Sequence, residues 1–244
     1  MWTGVASRRF LFIGPPGVGK GTYASRIAAA TGLAHISSGD LLRAVVASNP
    51  GQVALKGDAA GIAETLRRGE MVSDGMVTAL VRDHISNVLN PGTGYILDGF
   101  PRTAKQAADT ANVIAVDWAV NLRQPISVIV KKVSGRVHCP HCKHGYNLAD
   151  IDEAGLKMAP LRPKVPGVCD GCGGAYDEAK LERRPDDELE TVLKRLRAYE
   201  AMAAPLLAFY EQRGRLVHFD ATDAKAYRVL LAKLEALPAP PRET

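Results

Sequence analysis

The chain has 244 residues, 46% of them hydrophobic and 23% charged, with a formal net charge of +5. That apolar content can fill a large core and excludes global disorder, and the length suits one α/β domain with insertions. The mild positive charge suits anionic substrates but falls short of a nucleic-acid-binding surface, and no stretch approaches the run of about 18 apolar residues that a membrane helix needs. Residues 1–9 are too short and too weakly apolar for a secretory signal, so cytoplasm is the expected compartment.

In chain order, the apolar run 10–13 reads as a buried strand, and the Ala/Ile-rich pattern 18–30 reads as a helix. Further strand-like runs at 33–36, 95–97, 116–122 and 216–219 alternate with helical patterns at 39–47, 58–68, 74–89, 104–113, 125–133, 186–213 and 224–237. Alternation of this kind predicts an α/β fold, a parallel sheet flanked by helices on both faces. Two segments interrupt it. Residues 38–73 are helix-rich with no strand of their own, and residues 135–187 are rich in Gly, Pro and Cys with no convincing helix. Insertions in an open α/β sheet sit beyond the carboxyl ends of the strands, so both read as flaps over a site, with 1–37, 74–134 and 188–244 forming the core.

Between the first strand and first helix lies Gly14-Pro15-Pro16-Gly17-Val18-Gly19-Lys20-Gly21-Thr22. The pattern G-x-x-x-x-G-K in a strand–turn–helix context is a phosphate cradle. Glycines let backbone N–H groups point inward, the helix N-terminus adds positive dipole, and Lys20 adds a point charge. A tight glycine turn without a ligand would leave Lys20 unexplained. Gly21 stands where the general motif places a Mg²⁺-binding Ser or Thr, the hydroxyl coming one residue later at Thr22. That weakens a GTPase or motor ATPase reading and favours a small phosphotransferase, with the metal held by water, phosphates and a carboxylate elsewhere.

All four cysteines lie in the second flap, as Cys139-Pro140-His141-Cys142 and Cys169-Asp170-Gly171-Cys172. Two C-x-x-C knuckles separated by a loop have the spacing of a tetrahedral structural Zn²⁺ site, with disulfides or free thiols as the alternatives. Four thiolates would complete the coordination, so His138, His141 and His144 are expected at the surface. A zinc ribbon that binds nucleic acid is the rival idea. From Cys139 to Leu181, however, five basic residues stand against six acidic ones, with Tyr146 and Tyr176 the two Phe/Tyr/Trp residues, a poor platform for a polyanion.

Three clusters remain: Ile36-Ser37-Ser38-Gly39-Asp40-Leu41-Leu42-Arg43, then Leu97-Asp98-Gly99-Phe100-Pro101-Arg102-Thr103, and Arg183-Arg184-Pro185-Asp186-Asp187 with Arg195. A lone arginine is usually a solvated charge. Several at strand ends around a phosphate loop read as a clamp for phosphoryl oxygens.

Taken together these motifs resemble the adenylate kinase family, specifically the long form whose lid carries a four-cysteine zinc motif, and the resemblance runs from about residue 9 to about residue 237. It implies a nucleoside monophosphate kinase fold and transfer of the ATP γ-phosphoryl group to AMP, giving two ADP, with Mg²⁺ accompanying ATP and structural Zn²⁺ in the lid. Gly17, Val18, Gly19, Lys20, Gly21 and Thr22 match the cradle for the ATP phosphates, and Asp98 matches the carboxylate that holds Mg²⁺ through water. Ser38, Arg43, Glu70, Met71, Val72, Gly99, Phe100, Pro101, Arg102 and Gln106 match the AMP pocket. Arg136, Arg184 and Arg195 match the arginines that close over the phosphates, the last two also reaching AMP, and Gly145 and Tyr146 fall where the lid touches ATP. Without the resemblance, Gln106 would read as an ordinary exposed helix residue. The resemblance further implies small nucleotides as the partners, without nucleic acid or membrane, and a monomer.

The sequence departs from the family pattern in places. Lys132 stands where an arginine usually packs on the donor base, Val137 replaces the second arginine of the usual G-R-R, Ser38 replaces the commoner Thr, and the first flap is longer around 49–57. Lysine cannot stack or fork as arginine does, so the donor is open between ATP and GTP. Other readings are a UMP/CMP kinase, a P-loop ATPase with a nucleic-acid-binding zinc ribbon, and a scaffold with a dead site.

Overall fold

The computed structural model describes residues 5–47, 59–68, 70, 72–90, 92–222 and 225–239. The longer stretch expected at 49–57, and Met71 of the expected AMP pocket, lie outside the described residues.

The chain opens with β1 (Arg9–Ile13), α1 (Lys20–Thr31), β2 (Ala34–Ser37), α2 (Ser38–Ala47), α3 (Ala59–Arg67) and α4 (Asp74–Val88). It continues through β3 (Tyr95–Asp98), α5 (Ala104–Thr110), β4 (Trp118–Arg123) and α6 (Ile126–Ser134). Four short strands follow, β5 (Arg136–His138), β6 (Gly145–Asn147), β7 (Ile151–Glu153) and β8 (Leu156–Met158). After two single 3₁₀ turns come α7 (Leu189–Glu211), β9 (Leu216–Asp220) and α8 (Tyr227–Glu235).

Five strands form one parallel sheet in the order β2-β3-β1-β4-β9. The reason lies in β1. Successive side chains of a strand face opposite ways, and here both faces are buried, which is why the segment reads as an unbroken apolar run. Phe10 and Phe12 join the core packed by α1, α6, α8 and the first half of α7 (Val192, Leu196). Leu11 and Ile13 join the opposite core, packed by α2, α4, α5 and the second half of α7 (Leu206, Tyr210). The expected α/β sheet with helices on both faces is the fold observed.

Most boundaries fall within a few residues of expectation. The last long helix starts at Leu189 rather than 186, because Pro185–Asp187 forms a separate 3₁₀ turn. The cysteine-rich segment holds two antiparallel hairpins, β5–β6 and β7–β8, that its composition did not reveal. Strands of three residues are too short to show alternation. Val137, the missing second arginine, is 3% exposed and sits in the small core of this segment with Cys139, Tyr146 and Cys169.

Candidate active site

The register of β3 with β1 and β2 places Phe12 on one side of Asp98 and Ser37 on the other, so the phosphate loop, the Asp98 turn and the start of α2 share one edge of the sheet. That is the carboxyl edge, where open α/β sheets bind ligands. Gly17 and Gly19 adopt left-handed φ values of 86° and 110°. A Cβ on Gly17 would lie 2.4 Å from Val133 Cγ2, so the loop also needs glycine there to rest on α6. The α1 helix begins at Lys20, aiming its free N–H groups into the loop. Lys20 Nζ donates to the carbonyls of Gly14 (2.8 Å) and Pro15 (3.1 Å).

Burial pushes the Lys20 ammonium down to about 8; Asp98 opposes the shift, and Arg102, Arg195 and Arg136 add to it. Those three arginines, carried by separate parts of the chain, therefore lie near enough to act on the Lys20 ammonium. Arg184, itself brought down to about 10 by burial and then by Arg136 and Arg43, lies beside this group. Carboxylates hold several of these cations in place. Asp187 is paired with Arg136, whose Nε donates at 2.7 Å, and Asp186 Oδ2 accepts from Arg195 Nη1 at 2.5 Å. Asp40 Oδ1 accepts from Arg43 Nη2 at 2.6 Å and lies 4.0 Å from Arg184 Nη2. Mutual repulsion among buried cations is costly, so the arrangement suits a polyanion arriving among them.

Asp98 is opposed in its ionisation by burial, yet the His35 imidazole and the Lys20 ammonium outweigh it and hold the carboxyl below its usual range. His35 Nε2 stands 3.7 Å from Asp98 Oδ2, and His35 Nδ1 lies 3.2 Å from Ser25 Oγ. A Cβ at Gly21 would lie 3.4 Å from Asp98 Oδ2, so Asp98 borders the place where the usual motif has its hydroxyl. An ionised, buried carboxylate beside the phosphate loop fits a divalent cation held through water.

Beside Asp98 is a small pocket lined by Ser38, Leu42, Leu66, Glu70, Val72, Val77, Gly99, Phe100, Arg102 and Gln106. Gly99 turns at φ 84°, and a Cβ there would meet Ser38 Oγ at 2.8 Å. Ser38 is buried and donates its hydroxyl to the Asp98 carbonyl at 3.3 Å. Arg102 Nε donates to the Gly99 carbonyl at 2.6 Å. The Phe100–Pro101 bond is cis, and both residues are buried. Gln106 is 3% exposed, correcting its bland reading as a surface helix residue: Oε1 accepts from Arg102 N and Nε2 donates to Asp74 Oδ1, both at 2.6 Å. Glu70 pairs with Lys194 at 2.9 Å.

In the cysteine segment the two knuckles fold alike. Lys143 N and Gly173 N donate to the carbonyls of Cys139 and Cys169, each at 2.9 Å, with positive φ at Lys143 (59°) and Gly173 (69°). All four sulfur atoms lie within 4.8 Å of one another, with Cys139–Cys172 at 4.0 Å and Cys142–Cys169 at 3.6 Å. Disulfides need about 2.05 Å, whereas sulfurs about 2.3 Å from one tetrahedral ion sit about 3.8 Å apart, so the donor set fits a zinc-sized ion. Burial raises the Cys169 thiol, but the Tyr146 hydroxyl and the backbone N–H groups of Cys172 and Gly171 outweigh it and bring Cys169 down to about 6. The Tyr146 side chain is 2% exposed and turned into this cluster, leaving Gly145 as the exposed residue of the expected ATP contact. His138, expected at the surface, is 7% exposed: its backbone pairs with Glu182 and Gly145, and burial with Arg184 and Arg136 pushes the ring down to about 4. His141 and His144 are exposed as expected.

The family model for adenylate kinase matches residues 12–215. The chain belongs to the adenylate kinase family. It is 39% identical to an adenylate kinase of Treponema pallidum (strain Nichols) over 209 residues, covering 86% of this chain and 89% of that one. An adenylate kinase of Paramagnetospirillum magneticum is 39% identical over 217 residues, covering 87% and 90%. Adenylate kinase 1, chloroplastic, of Arabidopsis thaliana is 38% identical over 219 residues, covering 87% of this chain and 72% of its own. The phosphate loop, the arginines near it and the pocket beside Asp98 all lie within the matched residues. Among the described residues no helix is long and apolar enough to cross a membrane.

Sequence reasoning missed Asp74 and His35, which meet Gln106 and Asp98 across long stretches of chain, so no local spacing marks them.

Proposed function

We propose that the protein is an ATP:AMP phosphotransferase that moves the γ-phosphoryl group of ATP directly to AMP, giving two ADP. The observation that carries this reading is the gathering of cations at the phosphate loop: Arg102, Arg195 and Arg136 act on the Lys20 ammonium, Arg184 lies near Arg136 and Arg43, and Arg102 also lines the Ser38–Gln106 pocket. The acceptor phosphate of AMP is already anionic and needs no general base. Positioning and positive charge are what the reaction requires, and these residues supply both.

On this reading the loop Gly17–Thr22 holds the ATP phosphates and Lys20 accompanies the transferring group. Arg43 and Arg102 grip the AMP phosphate, and Gln106, locked by Asp74, faces the acceptor base. Asp98 would hold Mg²⁺ through water; the ion, when bound with ATP, offsets charge on the β- and γ-phosphates. Cys139, Cys142, Cys169 and Cys172 would hold structural Zn²⁺, a closed thiolate set with no open position for chemistry. The flaps 38–73 and 135–187 would close over the core 1–37, 74–134 and 188–244 and exclude water, which otherwise accepts the phosphoryl group. A cytoplasmic monomer belongs to the same proposal; four free thiols suit a reducing compartment.

The test is ADP formation by purified protein with Mg-ATP and AMP, with UMP or CMP, or with no acceptor, repeated with Mg-GTP. Rapid ADP production that requires AMP and prefers ATP supports the assignment. Slow hydrolysis indifferent to AMP would overturn it, and preference for GTP or for UMP would reassign the substrates.

A further inference from the structure

Lys132 leaves α6 toward the phosphate loop. Its Nζ donates to the Val18 carbonyl at 2.8 Å and to Gln124 Oε1 at 2.9 Å, and lies 3.4 Å from where a Cβ on Gly19 would sit. Gln124 Nε2 in turn donates to the Ala221 carbonyl at 2.6 Å. The amide has one chemically sensible orientation. An ammonium only donates and a carbonyl only accepts, so Oε1 must face Lys132 and Nε2 must face Ala221. Three hydrogen bonds therefore run in series from the phosphate loop, through α6 and the end of β4, to the turn after β9.

The acceptor pocket lies on the β2–β3 side of β1, so a donor seated in the phosphate loop extends toward β4 and β9. There, a cavity of about 310 Å³ is lined by Arg123, Gln124, Pro125, Leu156, Ala221 and Thr222. Gln124 and Ala221 thus belong both to the hydrogen-bonded chain and to the cavity wall. We propose that Lys132 and Gln124 form a latch that fixes the phosphate loop against the donor-side wall, making Lys132 a positioning residue for the donor phosphates and not a reader of the donor base. The proposal rests on the phosphotransferase reading. An ammonium committed to two oxygens of the protein has its geometry set before any base arrives, and it lacks the flat face that stacking needs. Burial brings Lys132 down to about 8, consistent with an ammonium enclosed among protein groups.

The experiment compares Lys132→Met, Gln124→Leu and the double variant with the unaltered protein. KM and kcat are measured for ATP, GTP and AMP, and ATP binding is measured by calorimetry. Loss of a hydrogen bond to a charged group predicts about a tenfold rise in KM for ATP and GTP alike, with a matching fall in ATP affinity and the KM for AMP unchanged. The double variant should be no worse than either single one, since both break the same chain. Gln124→Leu, half-buried and similar in size, keeps the test open if Lys132→Met folds poorly. An unchanged donor KM, an altered ratio of ATP to GTP, an equal rise for AMP, or additive losses would each overturn the latch. Absence of AMP-dependent ADP formation in the unaltered protein would instead overturn the phosphotransferase reading itself.

Discussion

The central sheet and the cysteine segment both carry cations that act on one another, but they hold those cations by different means. Among the described residues, two apolar clusters of 22 and 18 buried residues enclose the sheet, and Lys20 follows a strand packed into both. The cluster within the cysteine segment has four buried residues, two of them cysteines. Burying a large apolar side chain contributes about 1.5–3 kcal/mol, so a cluster that small cannot order some fifty residues against their conformational entropy. Arg136 and Arg184 depend on this segment. Their placement draws on carboxylates and, on the proposed zinc reading, on an ion held by the four sulfurs.

The largest effect is expected on the sheet side. Lys20→Ala should lower kcat/KM by on the order of 10³-fold, about 4 kcal/mol, while leaving thermal unfolding and metal content unchanged. Retention of full activity would mean the site is misplaced. Stripping the metal with a chelator tests the other side: activity should fall about a hundredfold as Arg136 and Arg184 lose their support, while circular dichroism still reports a folded, cooperatively melting sheet. A chelated protein that stays fully active, or one that unfolds as a whole, would erase the contrast between the two regions.

The same contrast explains what could be read from the sequence. The sheet was legible because strands buried on both faces read as short apolar runs, and the phosphate loop because its function needs contiguous glycines. The cysteine knuckles were legible because each ligand pair must sit on one turn. Val137 and His138 were not. Their burial depends on a three-residue strand pairing with Gly145–Asn147 and on the bridge to Glu182, neither of which leaves a periodic trace. Gln106 shows the same limit inside the well-read part, since its partner Asp74 is 32 residues away. Lys132 read as a mere departure from a family pattern; its bond to Val18, 114 residues distant, is what gives it a role.

Gln106→Leu sharpens the comparison at intermediate size. Leucine leaves the Arg102 N–H and the Asp74 carboxylate without their buried partner, so the KM for AMP should rise about tenfold with the KM for ATP unchanged. Equal changes in both would show that the acceptor pocket is not independent of the donor side.

The smallest effect is expected from raising the pH from about 7 to about 8, and its sign follows from burial. Lys20 and Lys132 both fall to about 8 in the free protein, each chiefly through burial; Asp98 opposes the fall at Lys20, while Arg102, Arg195 and Arg136 add to it there and Arg136 and Lys20 add to it at Lys132. ATP phosphates need the charged ammonium. Below about pH 8 both lysines are protonated and binding is at full strength; above it, kcat/KM for ATP should decline about tenfold per pH unit for each lysine that must be charged. Bound phosphates bring negative charge beside both groups and raise them again, so kcat, which reports the occupied enzyme, should hold to higher pH than kcat/KM. Lys132→Met removes one of the two titrations and should make the alkaline limb shallower. If instead kcat/KM for ATP stays flat to about pH 10, Lys20 is not the buried cation that meets the phosphates, and the sheet side of the comparison fails with it.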